Sequence, residues 1–579
     1  MAIIINRTNP YTAPMSFQVK EEVFMNILTP YTLTGYIVDV FDQRIFKGRI
    51  YVNVFGQIER IEKTDVCEER YIMPGFIDSH VHIESSMLTP SEFARSAVTH
   101  GVVATVSDPH EIANVLGIEG VEYFIENGKQ SGFKFFFGAP SCVPAAPFET
   151  SGAHLGVEEI DYLLRKDDIW YLSEMMNFPG VVAGDAEVMA KIELAKKLNK
   201  PVDGHAPCLS GVSLEKYIAA GITTDHECMD ICEAEEKISL GMKILIREGS
   251  AAKNFDALYP LIDQYPSRVM LCTDDSHPDD LKNGYIDKLV DRALSNGINF
   301  FNLLESVAVN PVVHYGIPVG LLRAGDFADF IITDSIEPGF KILQTYISGK
   351  LVYDRVGESV NLHRPKIEIK NNFHAKPLKI EDIHVEAVNG KEIRVIKVID
   401  KELFTENIVV KPAISSSNEI ISSIEDDILK IVVLNRYVPD SKPVVGFING
   451  FGLKRGALAG TVAHDSHNLI AVGVDDESIV ECMNAVIEVS GGIAVHADGV
   501  TDILPLPVAG IISDKGIDEV ATDYDRINKK AKQIGSLLTS PFMTLSFMAL
   551  IVIPKLKICD KGLFDVNKFC YTDLWEGLE

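Results

Sequence analysis

His80 and His82 stand one residue apart in "PGFIDSHVHIESS" (residues 74–86), and Glu84 follows directly after "HVHI". Alternate side chains of a strand share a face, so both imidazoles point the same way. Further along, residues of the same kind recur where short apolar runs end. Glu174 closes "DIWYLSEM", His205 sits in "PVDGHA", His226 in "GITTDHE" and Asp274 in "RVMLCTDD". Four imidazoles, one terminal carboxylate and one carboxylate able to bridge suit two divalent ions of the Zn, Mn or Fe type. Each residue alone has a plainer explanation. A histidine at a strand end is commonly a hydrogen-bonded structural residue, Asp274 lies in cap-rich "TDDSHPDD", and Glu174 alone reads as a solvated loop residue. Together, at the same end of several strands, they read as a metal centre. Two ions ~3.5–4 Å apart bridge a water and lower its pKa. Asp274 is then the candidate to accept the proton and pass it to a leaving group. The chemistry so inferred is hydrolysis at an sp² carbon: an amide, an ester or an amidine-like C–NH₂.

Rival motifs fail on their spacing. His226-Glu227 and His110-Glu111 lack the second histidine of H-E-x-x-H, because Asp230 and Asn114 occupy those positions. His82-Ile83-Glu84 matches the H-x-E of mononuclear zinc deaminases, but Pro207-Cys208 runs on into Leu209, Ser210 and Gly211 instead of completing P-C-x-x-C. Cys228 and Cys232 have no second thiol pair. The chain carries no nucleophile elbow, dinucleotide fingerprint or P-loop. Asp108 and His110 are candidates to line a pocket, with a helix start as the simpler alternative. His464, Asp465 and His467 in "AHDSHN" either reach the pocket or make a local turn.

Positioning such residues requires several strands ending on one side. Eight strand-like runs between "YIMPGFIDSHVH" and "RVMLCTDD" alternate with amphipathic segments such as "AEVMAKIELAKKLNK" (residues 186–200). Over roughly 250 residues this is the size and rhythm of a (β/α)₈ barrel of the α/β class; a doubly wound open sheet is the second choice. Two stretches of short alternating strands, residues 31–63 and 325–354, flank it. The expected organisation is a composite β-sandwich domain from residues 1–70 and 321–362, a metal-dependent TIM-like barrel at 71–320, and a C-terminal α/β domain at 363–579.

Lys and Arg number 54 against 82 Asp and Glu, a formal net charge of −28, which disfavours nucleic acid or an anionic membrane as partner. Nine irregularly spaced cysteines argue against a disulfide framework and for a reducing compartment. Residues 1–15 lack the basic start of a secretory signal. The apolar run at residues 536–554 holds two prolines and is too short to span a bilayer, so it reads as buried core. A cytoplasmic homo-oligomer acting on a small molecule is expected.

The ordered His, His, Asp set, the "PGFIDSHVH" opening and the split β domain resemble the amidohydrolase superfamily. Within it, "PGFIDSHVHIESSML", "SDPHEIANVLG", "SEMMNFPGVV", "DGHAP", "TDHE", "CTDD" and "GTVAHDSHN" resemble the adenine deaminase family over nearly the whole chain. The resemblance implies a purine-salvage hydrolase that turns adenine into hypoxanthine and ammonia with two divalent ions, Mn or Fe before Zn. His80, His82 and Asp274 would bind one ion, His205 and His226 the other, and Glu174 would bridge. Ser173-Glu174 without a lysine fits the glutamate-bridged branch and weakens a cyclic-amide hydrolase. The implied mechanism has a bridging hydroxide attack C6 while Asp274 moves the proton. Glu84 either protonates or holds a purine nitrogen, a role needing a raised pKa, or orients a histidine. The alternatives are another binuclear amidohydrolase, acting on a cyclic amide or a different aminopurine, and a metal-stabilised binding protein without turnover. The net charge disfavours a nucleic-acid deaminase.

Overall fold

The eight apolar runs fold as strands. In the computed structural model, which describes residues 3–5, 17–19 and 28–577, they are β1 (Phe76–His82), β2 (Val102–Ser107), β3 (Lys134–Ala139), β4 (Ile169–Met175), β5 (Val202–Gly204), β6 (Thr224–Asp225), β7 (Lys243–Arg247) and β8 (Val269–Cys272). Strands β1 to β5 pair in sequence order, all parallel. Strands β6 to β8 form a second parallel piece. Just after β8, Asp274 and Asp275 pair in parallel with Val81 and His82 of β1. The sheet therefore curls back towards its first strand, and the ends of β1 and β8 become neighbours.

The architecture is a curled parallel sheet with further sheet domains. Its ladder breaks between β5 and β6, which are only 3 and 2 residues long. "VDG" and "TD" offer little β-branched or aromatic surface to pack. A Cβ on Gly204 would lie 2.3 Å from the Thr224 carbonyl oxygen, so the two chains approach closely there. Thr224 Oγ1 accepts from the Gly204 N–H at 3.2 Å, and the Thr223 N–H reaches Val202 O at 2.9 Å.

The flanking pieces join through Tyr71–Pro74, which pairs antiparallel with Phe330–Thr333. One continuous eight-stranded sheet results, where two stacked sheets were expected. Its curl buries Ile37, Ile50, Ile58, Ile72, Phe330 and Tyr346 on one face. A second eight-stranded sheet spans residues 393–505. The sequence places helix α1 (His110–Leu116) straight after β2, while the C-terminal part carries α2 (Asp476–Glu488), α3 (Ile517–Gln533) and α4 (Pro541–Phe547). Phe542, Leu545, Phe547, Leu550 and Ile553 of the apolar run are buried. Among the described residues no helix is long and apolar enough to cross a membrane. All nine cysteines are unpaired. The expectation about a secretory signal falls on residues 1–15, which apart from 3–5 lie outside the described residues.

Candidate metal centre

Every residue of β1 is buried, and its alternation turns His80 and His82 to one side, their Nε2 atoms 3.1 Å apart. His82 Nδ1 lies 3.2 Å from the Asp108 carbonyl. Donating there fixes the tautomer and leaves the Nε2 lone pair facing the site. Glu174, near the end of β4, turns its two oxygens to different neighbours. Oε1 is 3.2 Å from His82 Nε2 and 3.9 Å from His80 Nε2. Oε2 is 2.8 Å from His205 Nδ1 and 3.3 Å from His226 Nε2. Asp274 Oδ1 is 3.1 Å from His82 Nε2 and 3.6 Å from His80 Nε2. Asp274 also holds φ at +60°, a costly conformation for a residue with a side chain, of the kind that collects at functional sites. The structure thus brings together six of the seven sequence-predicted residues, and none of the six is more than 7% exposed.

This donor set fits divalent ions. Burial alone would raise the carboxyl pKa of Glu174, but His205 and His226 hold it well below the usual range. Burial would likewise raise that of Asp274, and Arg247, His80 and His82 override it. Two ionised carboxylates and four converging ring nitrogens in a buried pocket call for positive charge. The mixture of imidazole and carboxylate is that of Zn, Mn or Fe sites.

Glu84 turns its Oε1 to the backbone of α1, accepting from the Ile112 N–H at 3.0 Å, and it is not among the residues lining the cavity at the metal centre. Burial pushes its carboxyl up to about 8.

Several groups at the site were not read from the sequence as functional, or were left open. His110, the first residue of α1, is buried, with Nδ1 3.2 Å from Asp108 Oδ2 and 3.6 Å from Glu174 Oε1. "SDPHEIANVLG" was the signal for it. Arg247 ends β7 and donates to Asp274 Oδ2 at 2.6 Å and to Glu227 Oε2 at 2.8 Å. Its position at a strand end was visible, but a search for metal ligands passes over a cation. Glu111 accepts from both His464 and His467, which lie more than 350 residues away in sequence. Leu403, His464, Asp465, Phe547, Leu550 and Ile553 of the C-terminal part roof the cavity above the cluster.

Residues 71–352 match the amidohydrolase family, and residues 402–570 match the adenine deaminase C-terminal domain. The chain is 53% identical over 555 residues to the adenine deaminase of Methanosarcina mazei, covering 93% of this chain and 99% of the relative. It is 50% identical over 545 residues to that of Salinibacter ruber, covering 94% and 98%. The adenine deaminase of Borreliella burgdorferi is 49% identical over 544 residues, covering 93% and 98%. With a buried imidazole and carboxylate cluster in an amidohydrolase-type sheet, and with relatives matching from end to end, the chain belongs to the adenine deaminase family.

Proposed function

We propose that the chain hydrolyses adenine to hypoxanthine and ammonia. The observation that carries this is the split of Glu174, one oxygen towards His80 and His82 and the other towards His205 and His226, in a chain matching adenine deaminases over nearly its full length. His80, His82 and Asp274 would hold one divalent ion, His205 and His226 a second, and Glu174 would touch both. Mn or Fe is our first choice. Bound there, the pair supplies a water with a lowered pKa near neutral pH.

The remaining steps belong to the chain's own residues. Arg247 keeps Asp274 ionised and fixes the direction of its Oδ2. Asp274 takes the proton of the attacking water and delivers it to the departing amino nitrogen. Apolar Leu403, Phe547, Leu550 and Ile553 face the flat rings of the purine and keep bulk water out. Glu84 acts through α1: its hydrogen bond to Ile112 sets the start of the helix that carries His110 and Glu111.

At the level of the whole chain, we read β1 to β8 as a closed (β/α)₈ barrel at residues 71–320, with a composite sheet domain from 1–70 and 321–362 and a C-terminal domain from 363. The parallel pairing of Asp274–Asp275 with β1 supports closure. A small purine is the ligand, without nucleic acid or membrane partners, in a cytoplasmic homo-oligomer. The test is direct: Mn- or Fe-loaded protein is incubated with adenine, and hypoxanthine and ammonia are assayed. No product from a fully loaded sample overturns the proposal.

A further inference from the structure

One wall of the cavity is built by His464 and Asp465, in the segment 463–468, and carries two polar atoms with no partner. His464 Nε2 and Asp465 Oδ2 are fully buried and make no hydrogen bond. Both residues line the cavity, and both are about 2% exposed. For Asp465 Oδ2, His110 Nε2 lies 3.8 Å away, beyond hydrogen-bond reach. A buried polar atom left unpaired is costly, so two of them facing one cavity mark where a polar ligand belongs.

The segment is held rigidly. His464 Nδ1 donates to one oxygen of Glu111, and His467 Nε2 donates to the other. The Ala463 N–H donates to His467 Nδ1 at 3.3 Å, which leaves the proton of that ring on Nε2. The His464 ring stacks on Phe547, with centroids 4.5 Å apart and planes 24° apart. Tyr437 OH donates to Ser466 O at 2.6 Å, and Asn468 Nδ2 donates to Thr150 O at 2.9 Å. Such support is what a recognition group needs to hold one geometry.

The donor of the pair is His464. Burial would lower the His464 pKa, but the Glu111 carboxylate overrides it and raises the value to about 9. The free Nε2 therefore carries an N–H into the cavity, beside Asp465, whose carboxyl burial pushes up to about 7 and whose ionised form offers Oδ2 as an acceptor. One imidazole ring separates this wall from the cluster: His110 Nδ1 is 3.6 Å from Glu174 Oε1, and its Nε2 is 3.8 Å from Asp465 Oδ2. A purine with C6 turned to the cluster presents its far edge to the wall. That edge holds N3, across the six-membered ring from C6, and N9–H beside it, an acceptor next to a donor.

We propose that His464 and Asp465 read this edge, His464 Nε2 donating to N3 of adenine and Asp465 Oδ2 accepting from N9–H. This rests on adenine deamination as the reaction. Glu111 is a positioning residue, acting through His464 and His467.

The test pairs altered substrates with altered side chains in the metal-loaded full chain, with kcat and KM measured for adenine, 3-deazaadenine and 9-methyladenine. The unaltered protein should lose ~10- to 100-fold in kcat/KM on each analogue, a comparison that needs no variant to fold. His464→Leu should lose a similar factor on adenine but little more on 3-deazaadenine. Asp465→Ala should do the same with 9-methyladenine. His464→Gln and Asp465→Asn should recover part of each loss, with metal content unchanged. Full activity of the unaltered protein on both analogues, or losses that simply multiply, would overturn the assignment. No turnover of adenine by the unaltered protein would instead remove the deaminase proposal itself.

Discussion

Glu174 and Glu84 are both buried carboxyl groups near His82, yet their surroundings separate their roles. Glu174 meets imidazoles on both of its oxygens, whereas Glu84 meets the backbone of α1. Glu174→Gln removes one charge from the point where two ligand pairs converge. It should lower kcat by more than ~100-fold, beyond the 10–100-fold typical of outer partners of a metal site, and should lower metal content per chain. Glu84→Gln keeps an oxygen that can accept from Ile112, so kcat/KM should stay within about 10-fold of the parent protein. Steady-state kinetics with metal analysis on the same samples checks both; a Glu84→Gln variant as impaired as Glu174→Gln would return Glu84 to the chemistry. The ligand-type residues were legible because each closes an apolar run. Glu84 was ambiguous because H-x-E spacing says nothing of where the third side chain turns. Arg247 was missed because its task is to hold Asp274, which only the fold brings beside it.

At the scale of elements, the eight strands were legible from composition, whereas the break between β5 and β6 was not. That break depends on how closely the backbone at Gly204 approaches Thr224, a tertiary distance. Of the roof of the cavity only "AHDSHN" drew notice, as an open alternative, and its apolar segments stayed hidden, since they come from distant parts of the C-terminal chain. Lys557, in the strand Leu556–Cys559, ties two of them together: its Nζ donates to Leu403 O at 2.8 Å and to Phe547 O at 2.9 Å. It has no carboxylate partner among the groups acting on it, and burial lowers its pKa to about 7 from 10.5. Between those values the unfolded chain binds the proton and the folded chain does not, so this group makes stability rise with pH. Its penalty is full below about pH 7 and gone above the unfolded value, with an upper bound of about 5 kcal/mol. Lys557→Met should flatten the rise in denaturation midpoint between pH 7 and pH 9.5. At pH 9.5 the variant should be the less stable protein, because the buried Phe547 carbonyl loses its donor at about 1–3 kcal/mol and the part-buried Leu403 carbonyl loses its donor as well. Urea midpoints across that range test it, and parallel pH profiles for the two proteins would count against the account.

For the whole molecule, floor and roof of the cavity come from parts of the chain that match separate families, residues 71–352 and 402–570. Their contact was left open in sequence, where "AHDSHN" either reached the pocket or made a local turn, since the link from Glu111 to His464 and His467 crosses more than 350 residues. The floor gathers four imidazoles around two ionised carboxylates, with ring nitrogens 2.8 to 3.9 Å from carboxylate oxygens, an arrangement drawn from five different strand ends. Ions that bind this arrangement and not the unfolded chain must stabilise it by mass action. At 1,000-fold excess over Kd, each site contributes about 4 kcal/mol. Even spread over so long a chain, that is worth several degrees of Tm. Chelation should therefore lower Tm and abolish turnover together, and Mn, Fe or Zn should restore the Tm. Mg should not, because it prefers oxygen ligands and keeps its waters, whereas four of these six ligands are imidazoles. Thermal melts with and without chelator, followed by each metal in turn, decide the matter. A Tm indifferent to chelation, or restored equally by Mg, would mean that the cluster is held by hydrogen bonds alone and that Glu174 links two histidine pairs without metal.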